Sequence, residues 1–161
     1  MQFHVFSDAS GIGYGACIYA RSTSEDGIAN TQLIASKSRA TPLKRPSLPR
    51  LELCAALLGA KLYDEVSAAL RMEGIPCWLW SDSMVVLHWI RAPPNTWQIF
   101  VGNRTAEIQL LTHGHVWHHV KGTETPADHI SRGLLPTDFV SNKIWLRGPE
   151  WLKTNDRNRH I

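Results

Sequence analysis

Residues 2–21 read QFHVFSDASGIGYGACIYAR and hold two strand-like runs joined by a turn. Gln2 to Ser7 is apolar and aromatic enough for a strand that ends at Asp8. Ala9-Ser10-Gly11-Ile12-Gly13 makes the turn, and Gly13 to Arg21 the second strand. Glu25-Asp26-Gly27 is a hairpin signal, which makes Thr31 to Arg39 the returning strand. PLKRPSLPR, residues 42 to 50, is a proline-punctuated basic loop.

The rest of the chain alternates helix and strand. Leu51, Cys54, Ala55, Leu58, Leu62, Val66, Ala69 and Leu70 recur at helical spacing. Pro49 suits the first turn of that helix, and Gly74 and Pro76 stop it. CWLW, residues 77 to 80, reads as a buried strand. A helix over Ser83 to Ile90 ends before Pro93-Pro94. Another spans Trp97 to Leu111, with Ile99, Val101, Ala106, Ile108 and Leu111 as candidate core positions. His115 to Val120 is a last strand, and Thr125 to Arg132 a short helix. Residues 136–161 are polar and basic around Trp145 and Trp151, and read as a linker or tail after a domain of residues 1–135.

Bulk properties exclude several classes. The chain has 161 residues with 43% hydrophobic and 19% charged, a globular composition rather than a disordered one. Its net charge of +3 and pI near 8.9 admit an anionic partner without demanding one. Cys17, Cys54 and Cys77 are an odd number with no CxxC pair, so neither a disulfide scaffold nor a zinc ribbon is expected, and a reducing compartment is. No signal peptide or membrane span is readable. The expectation is a soluble, intracellular protein.

Chain direction alone brings acids together. If the first strand runs up, the hairpins send the second down and the third up. The helix near residue 50 then starts at the upper edge, and CWLWS runs up again. Asp8, Glu52, in the first helical turn, and Asp82 all fall at that edge, where parallel strands place sites. A parallel last strand adds Asp128. Clustered carboxylates repel and raise one another's pKa, so cations suit them. Hard oxygen donors of this kind fit Mg2+ or Mn2+. Two such ions about 3.5–4 Å apart clamp both oxygens of a phosphodiester displacement.

Each acid also has a structural reading. Asp8 precedes a glycine turn, Glu52 suits a helix N-terminus, Asp82 is placed to cap the next helix, and Thr125-Pro126-Ala127-Asp128 fits a capping box. Lys44, Arg45 and Arg50 are either solvated surface or phosphate contacts. Ser10, Gly11 and Ser83 flank the acids as small donors. Asn103 and Arg104 lie on a helix, for substrate contact or for structural hydrogen bonds. Trp97 is the tryptophan expected at the surface. Zinc held by His113, His115, His118 and His119 is disfavoured, because the strand spreads them out. An aspartic-protease reading of Asp8-Ala9-Ser10-Gly11 fails because Ala9 stands where Ser or Thr is needed and no second copy exists.

FSDASGIGYGACIY, LPRLELCAALLGAKL, WSDSMVVLHWI, WQIFVGNRTAEI and HHVKGTETPADHISRG occur in this order within residues 3 to 134. Together they resemble the ribonuclease H domain of LTR retrotransposons, most closely the BEL/Pao group. The resemblance implies an α/β fold, a mixed five-stranded sheet flanked by helices. It implies Asp8, Glu52, Asp82 and Asp128 as ligands of two Mg2+ or Mn2+ ions that cut the RNA strand of RNA–DNA hybrids, leaving a 5′-phosphate and a 3′-hydroxyl. It also implies a polyprotein, with reverse transcriptase upstream and integrase downstream of WLRGPEWL, carried in a cytoplasmic particle of the element. Many relatives carry a histidine in the loop before the last aspartate. Here VKGTETPAD has none, and no catalytic histidine is assigned. The alternative is a weak or inactive nucleic-acid-binding or connector domain of the same fold.

Overall fold

The computed structural model describes residues 1–154. Five strands form one sheet in the order β3-β2-β1-β4-β5. They are β1 (Gln2–Ala9), β2 (Gly13–Thr23), β3 (Ala29–Ala40), β4 (Cys77–Ser81) and β5 (Val116–His119). β1, β2 and β3 pair antiparallel, while β1–β4 and β4–β5 are parallel. The mixed sheet implied by the family resemblance is the one observed. Gly27 takes φ +79° in the β2–β3 hairpin, a conformation that costs glycine nothing.

Helices cover both faces. On the first face lies α1 (Leu48–Ala69), with α2 (Met84–Arg91) and α3 (Ile99–Leu111) beside it. Their apolar sides enclose Phe3, Val5, Ala16, Ile18 and Leu79 of the sheet. Gly59 is where α1 comes closest to the sheet: an added Cβ would stand 3.2 Å from Val5 Cγ1. α1 starts two residues before the expected point, with Pro49 in its first turn, so Glu52 lies in the second turn instead of the first. On α3, Val101 and Ile108 are buried as expected, but Ile99 is 81% exposed and Ala106 faces solvent. Thr105, fully buried, fills the inner position instead. Its hydroxyl is satisfied by the Gly102 carbonyl, which lets a polar residue sit there. Trp97 is only half-exposed and donates its indole N–H to the Trp89 carbonyl.

The second face carries α4 (Ala127–Arg132), and here the expected linker or tail is ordered structure. Residues 136–153 form α5 (Pro136–Ser141), α6 (Lys143–Arg147) and a 3₁₀ turn (Glu150–Lys153). Trp145 and Leu152 are buried against Phe6, Cys17, Tyr19 and Trp80. Three side chains of β2 and β3 fasten this segment by donating to its carbonyls: Tyr19 to Trp145, Thr31 to Arg147, and Arg21 Nε to Leu152 at 2.6 Å. The packed structure therefore continues to residue 153. The remainder of the expected tail, 155–161, lies outside the described residues. Among the described residues no helix is long and apolar enough to cross a membrane.

Candidate active site

The carboxyl ends of the two parallel neighbours β1 and β4 meet at one edge of the sheet. Asp8 is the penultimate residue of β1, and Asp82 follows the last residue of β4. Asp8 belongs to the strand itself and is 5% exposed, so it does not serve the glycine turn that follows. Ser83, not Asp82, caps α2, accepting from the Val86 N–H at 3.2 Å. Glu52 reaches the same edge from α1, where the nearby Ser83 side chain favours its charged form. Asp128 arrives from the second face on α4. The capping box expected around it does not form: its N–H faces the Thr125 carbonyl at 3.3 Å, and the helix has no side-chain cap.

All four carboxylates line one open recess of about 660 Å³. His119, Lys121, Gly122, Thr123 and Arg132 complete its rim, with Ala9 and Leu48 below. The loop between β5 and α4 lies tight on Asp82. An added Cβ on Gly122 would come within 3.1 Å of Asp82 Oδ2.

The electrostatics are those of crowded acids. Burial, then the charge of Asp82, pushes the Asp8 carboxyl up to about 8. Burial also raises Asp82 and Glu52 above the usual carboxylate range. Asp82 Oδ1 is buried without a hydrogen-bond partner, an arrangement that costs free energy unless something else satisfies it. Two of the other oxygens have partners. Ser131 Oγ donates to Asp8 Oδ2 at 2.8 Å, and Arg132 Nε to Asp128 Oδ1 at 2.7 Å.

Four hard oxygen donors, one orphaned carboxylate oxygen and a carboxyl pushed up by burial and by the charge of Asp82 fit divalent cations. As placed, however, no three His, Cys, Asp or Glu side chains among the described residues form a cage that could hold an ion.

None of the eight residues expected to touch substrate lines this recess. Lys44 and Arg45 are exposed, and Arg45 lies beside Gly11, 3.8 Å from where a Cβ would be. Arg50 belongs to α1 rather than to the loop, and with Arg104 it stacks on Phe100, at 4.8 and 3.6 Å from the ring centre. Asn103 is exposed one residue away. Ser10 Oγ donates to the Ser131 carbonyl at 2.6 Å. Sequence reasoning missed Lys121, Ser131 and Arg132, and left His119 without a role. HHVK and SRG were in view, but nothing in them tells which side chains turn toward the recess.

A mixed five-stranded sheet with helices on both faces and acids at the parallel edge defines an RNase H-like α/β domain. A family profile described as the Pao retrotransposon-like RNaseH-like domain matches residues 1–83. The chain belongs to that family.

Solved structures share its fold. LC11-RNase H1, isolated from compost by a metagenomic approach, superposes with a TM-score of 0.58 at 15% identity over 80% of this chain and 91% of that one. The same enzyme in complex with RNA/DNA hybrid gives 0.55 at 13% identity over 80% and 92%. The N-terminal RNase H domain of rv2228c from Mycobacterium tuberculosis gives 0.51 at 15% identity over 81% and 88%. No curated protein matches the sequence.

Proposed function

We propose that this domain hydrolyses the RNA strand of RNA–DNA hybrids, with Asp8, Glu52, Asp82 and Asp128 as the ligands of two Mg2+ or Mn2+ ions. The observation that carries the reading is the convergence of these four carboxylates on one recess, with Asp82 Oδ1 buried and unsatisfied. Family membership supports it, and the RNA/DNA hybrid bound by LC11-RNase H1 supports the substrate class. When bound, the ions supply Lewis acidity at the phosphodiester and a water acidic enough to attack it.

The protein's own groups do the rest. Asp8 releases its proton as the cations arrive. Ser83 favours the charged form of Glu52. Lys121 and Arg132, on the rim, are the cations nearest the acids and meet the scissile phosphate. Lys44, Arg45, Arg50, Asn103 and Arg104 contact the hybrid farther out, where its wide minor groove is read by shape. Ser10 and Gly11 back the turn that faces Arg45. The domain works as part of a retroelement polyprotein, between reverse transcriptase and integrase.

The test is a labelled RNA–DNA hybrid with and without Mg2+ or Mn2+. RNA is cut, DNA stays intact, and Asp82→Asn abolishes cutting while keeping the fold. A folded protein that cuts nothing at any enzyme concentration sinks the reading in favour of a binding module. Wild-type rates in both Asp82→Asn and Glu52→Gln sink the ligand assignment.

A further inference from the structure

Ser131 lies in the last turn of α4 and is 2% exposed. Its hydroxyl donates to Asp8 Oδ2 at 2.8 Å and stands 3.2 Å from the Asp128 carbonyl. Its own carbonyl accepts from Ser10 Oγ at 2.6 Å. One residue away, Ile130 sits on the glycine of β2 that pairs with Asp8: a Cβ on Gly15 would stand 2.4 Å from Ile130 Cγ2. One buried hydroxyl thus joins the Asp8 carboxylate to the backbone of the helix that carries Asp128.

A hydrogen bond to one carboxylate oxygen takes one of its lone pairs and fixes the plane of the group. With Oδ2 held by Ser131, the Asp8 carboxylate is fixed in one orientation where it lines the recess. The same hydroxyl ties Asp8 to the helix that carries Asp128, so neither acid moves without the other. Losing a side chain that orients a ligand in this way typically costs about 10- to 100-fold in metal affinity.

We infer that Ser131 is a positioning residue: it orients the Asp8 carboxylate, fixes it relative to Asp128, and thereby sets the affinity of the acid cluster for divalent cations. This inference rests on the metal-site reading above.

The experiment is calorimetric titration of MnCl2 into the full chain, beside a melting curve for each variant. Ser131→Ala is expected to weaken Mn2+ binding about 10- to 100-fold. The Mn2+ concentration for half-maximal hybrid cleavage rises in step, and the rate at saturating Mn2+ falls much less. Ser131→Thr, which keeps the hydroxyl, returns affinity toward wild type. Ile130→Ala loosens the same helix without touching Asp8, so it lowers the melting temperature but shifts Mn2+ affinity less than Ser131→Ala.

Wild-type Mn2+ affinity in Ser131→Ala overturns the inference. So does an equal loss in Ile130→Ala, which would make the effect one of helix packing. Were Ser131→Ala to unfold, near-isosteric Ser131→Cys takes its place with the same expected loss. Asp8→Asn separates the two levels. If it binds Mn2+ like wild type, or if wild type binds none, the metal site itself is wrong and the inference falls with it.

Discussion

Asp8 keeps its proton up to about 8, where an unfolded chain has released it near 3.8. Burial is the larger cause, and the charge of Asp82 the next. Between those two values the folded state binds more protons than the unfolded one, so stability falls as pH rises. The contribution is complete below the unfolded pKa and gone once pH passes the folded one. The expected outcome, in chelator, is a melting temperature that declines from about pH 5 to about pH 8, and a flatter profile for Asp8→Asn. Equal slopes for the two proteins would show that Asp8 is not the group responsible. The four acids were legible because each ends a strand or starts a helix whose direction the alternating pattern dictates. Their partners were not. Ser131 reaches Asp8 across 123 positions of sequence, and only the seating of α4 on the sheet decides which oxygen it meets. The Arg132–Asp128 pair differs: at i,i+4 on one short helix it follows from the sequence spacing.

α4 is a six-residue helix, too short to hold itself together. It stays in place because β2 offers it glycine instead of side chains. A Cβ at Gly15 would stand 2.4 Å from Ile130 Cγ2 and 3.0 Å from the Lys37 carbonyl, and at Gly13 2.9 Å from the Arg39 carbonyl. Overpacking of this kind costs about 1–3 kcal/mol. Gly15→Ala is therefore expected to destabilise the domain by that amount and to weaken cleavage by lifting Asp128. Adding Ile130→Ala makes room and recovers part of the loss. A double variant no more stable than Gly15→Ala would place the strain against the Lys37 carbonyl instead. The segment ahead of α1 makes a separate prediction. Neutralising Lys44, Arg45 and Arg50 weakens hybrid binding and flattens its salt dependence, because fewer counterions are released. An unchanged salt slope would make these residues plain surface. At this scale the long α1 was readable from its period, whereas α3 was misjudged at Ile99 and Ala106. Hydrophobicity alone nominated both for the core, yet the inner position went to Thr105, whose hydroxyl bonds back to its own helix.

At the scale of the whole molecule, the two faces of the sheet differ in how they are closed. The first is closed by helices whose period announces them, the second by α4 and the segment 136–153, whose short turns carry no period to read. That segment covers Phe6 and Tyr19 with Trp145 and Leu152, and Phe6 and Asp8 alternate on the same face of β1. It also accepts hydrogen bonds from Tyr19, Thr31 and Arg21, and Arg21 is only 7% exposed. Removing it bares the apolar face and takes the Leu152 carbonyl from Arg21. Burial of a large apolar side chain contributes about 1.5–3 kcal/mol, so losing Trp145 and Leu152 alone costs about 3–6 kcal/mol, a large share of the roughly 5–15 kcal/mol that a domain commands. A chain ending at Pro136, although it retains all four acids and every strand, is therefore expected to melt far below the full chain or to aggregate, and to lose hybrid cleavage with its fold. Trp145→Ala with Leu152→Ala should reproduce much of that loss in the intact chain. Melting curves and the hybrid assay on both proteins decide the matter: a chain ending at Pro136 that melts and cuts like the full one would put the domain edge at residue 135 and make the packing of 136–153 energetically idle.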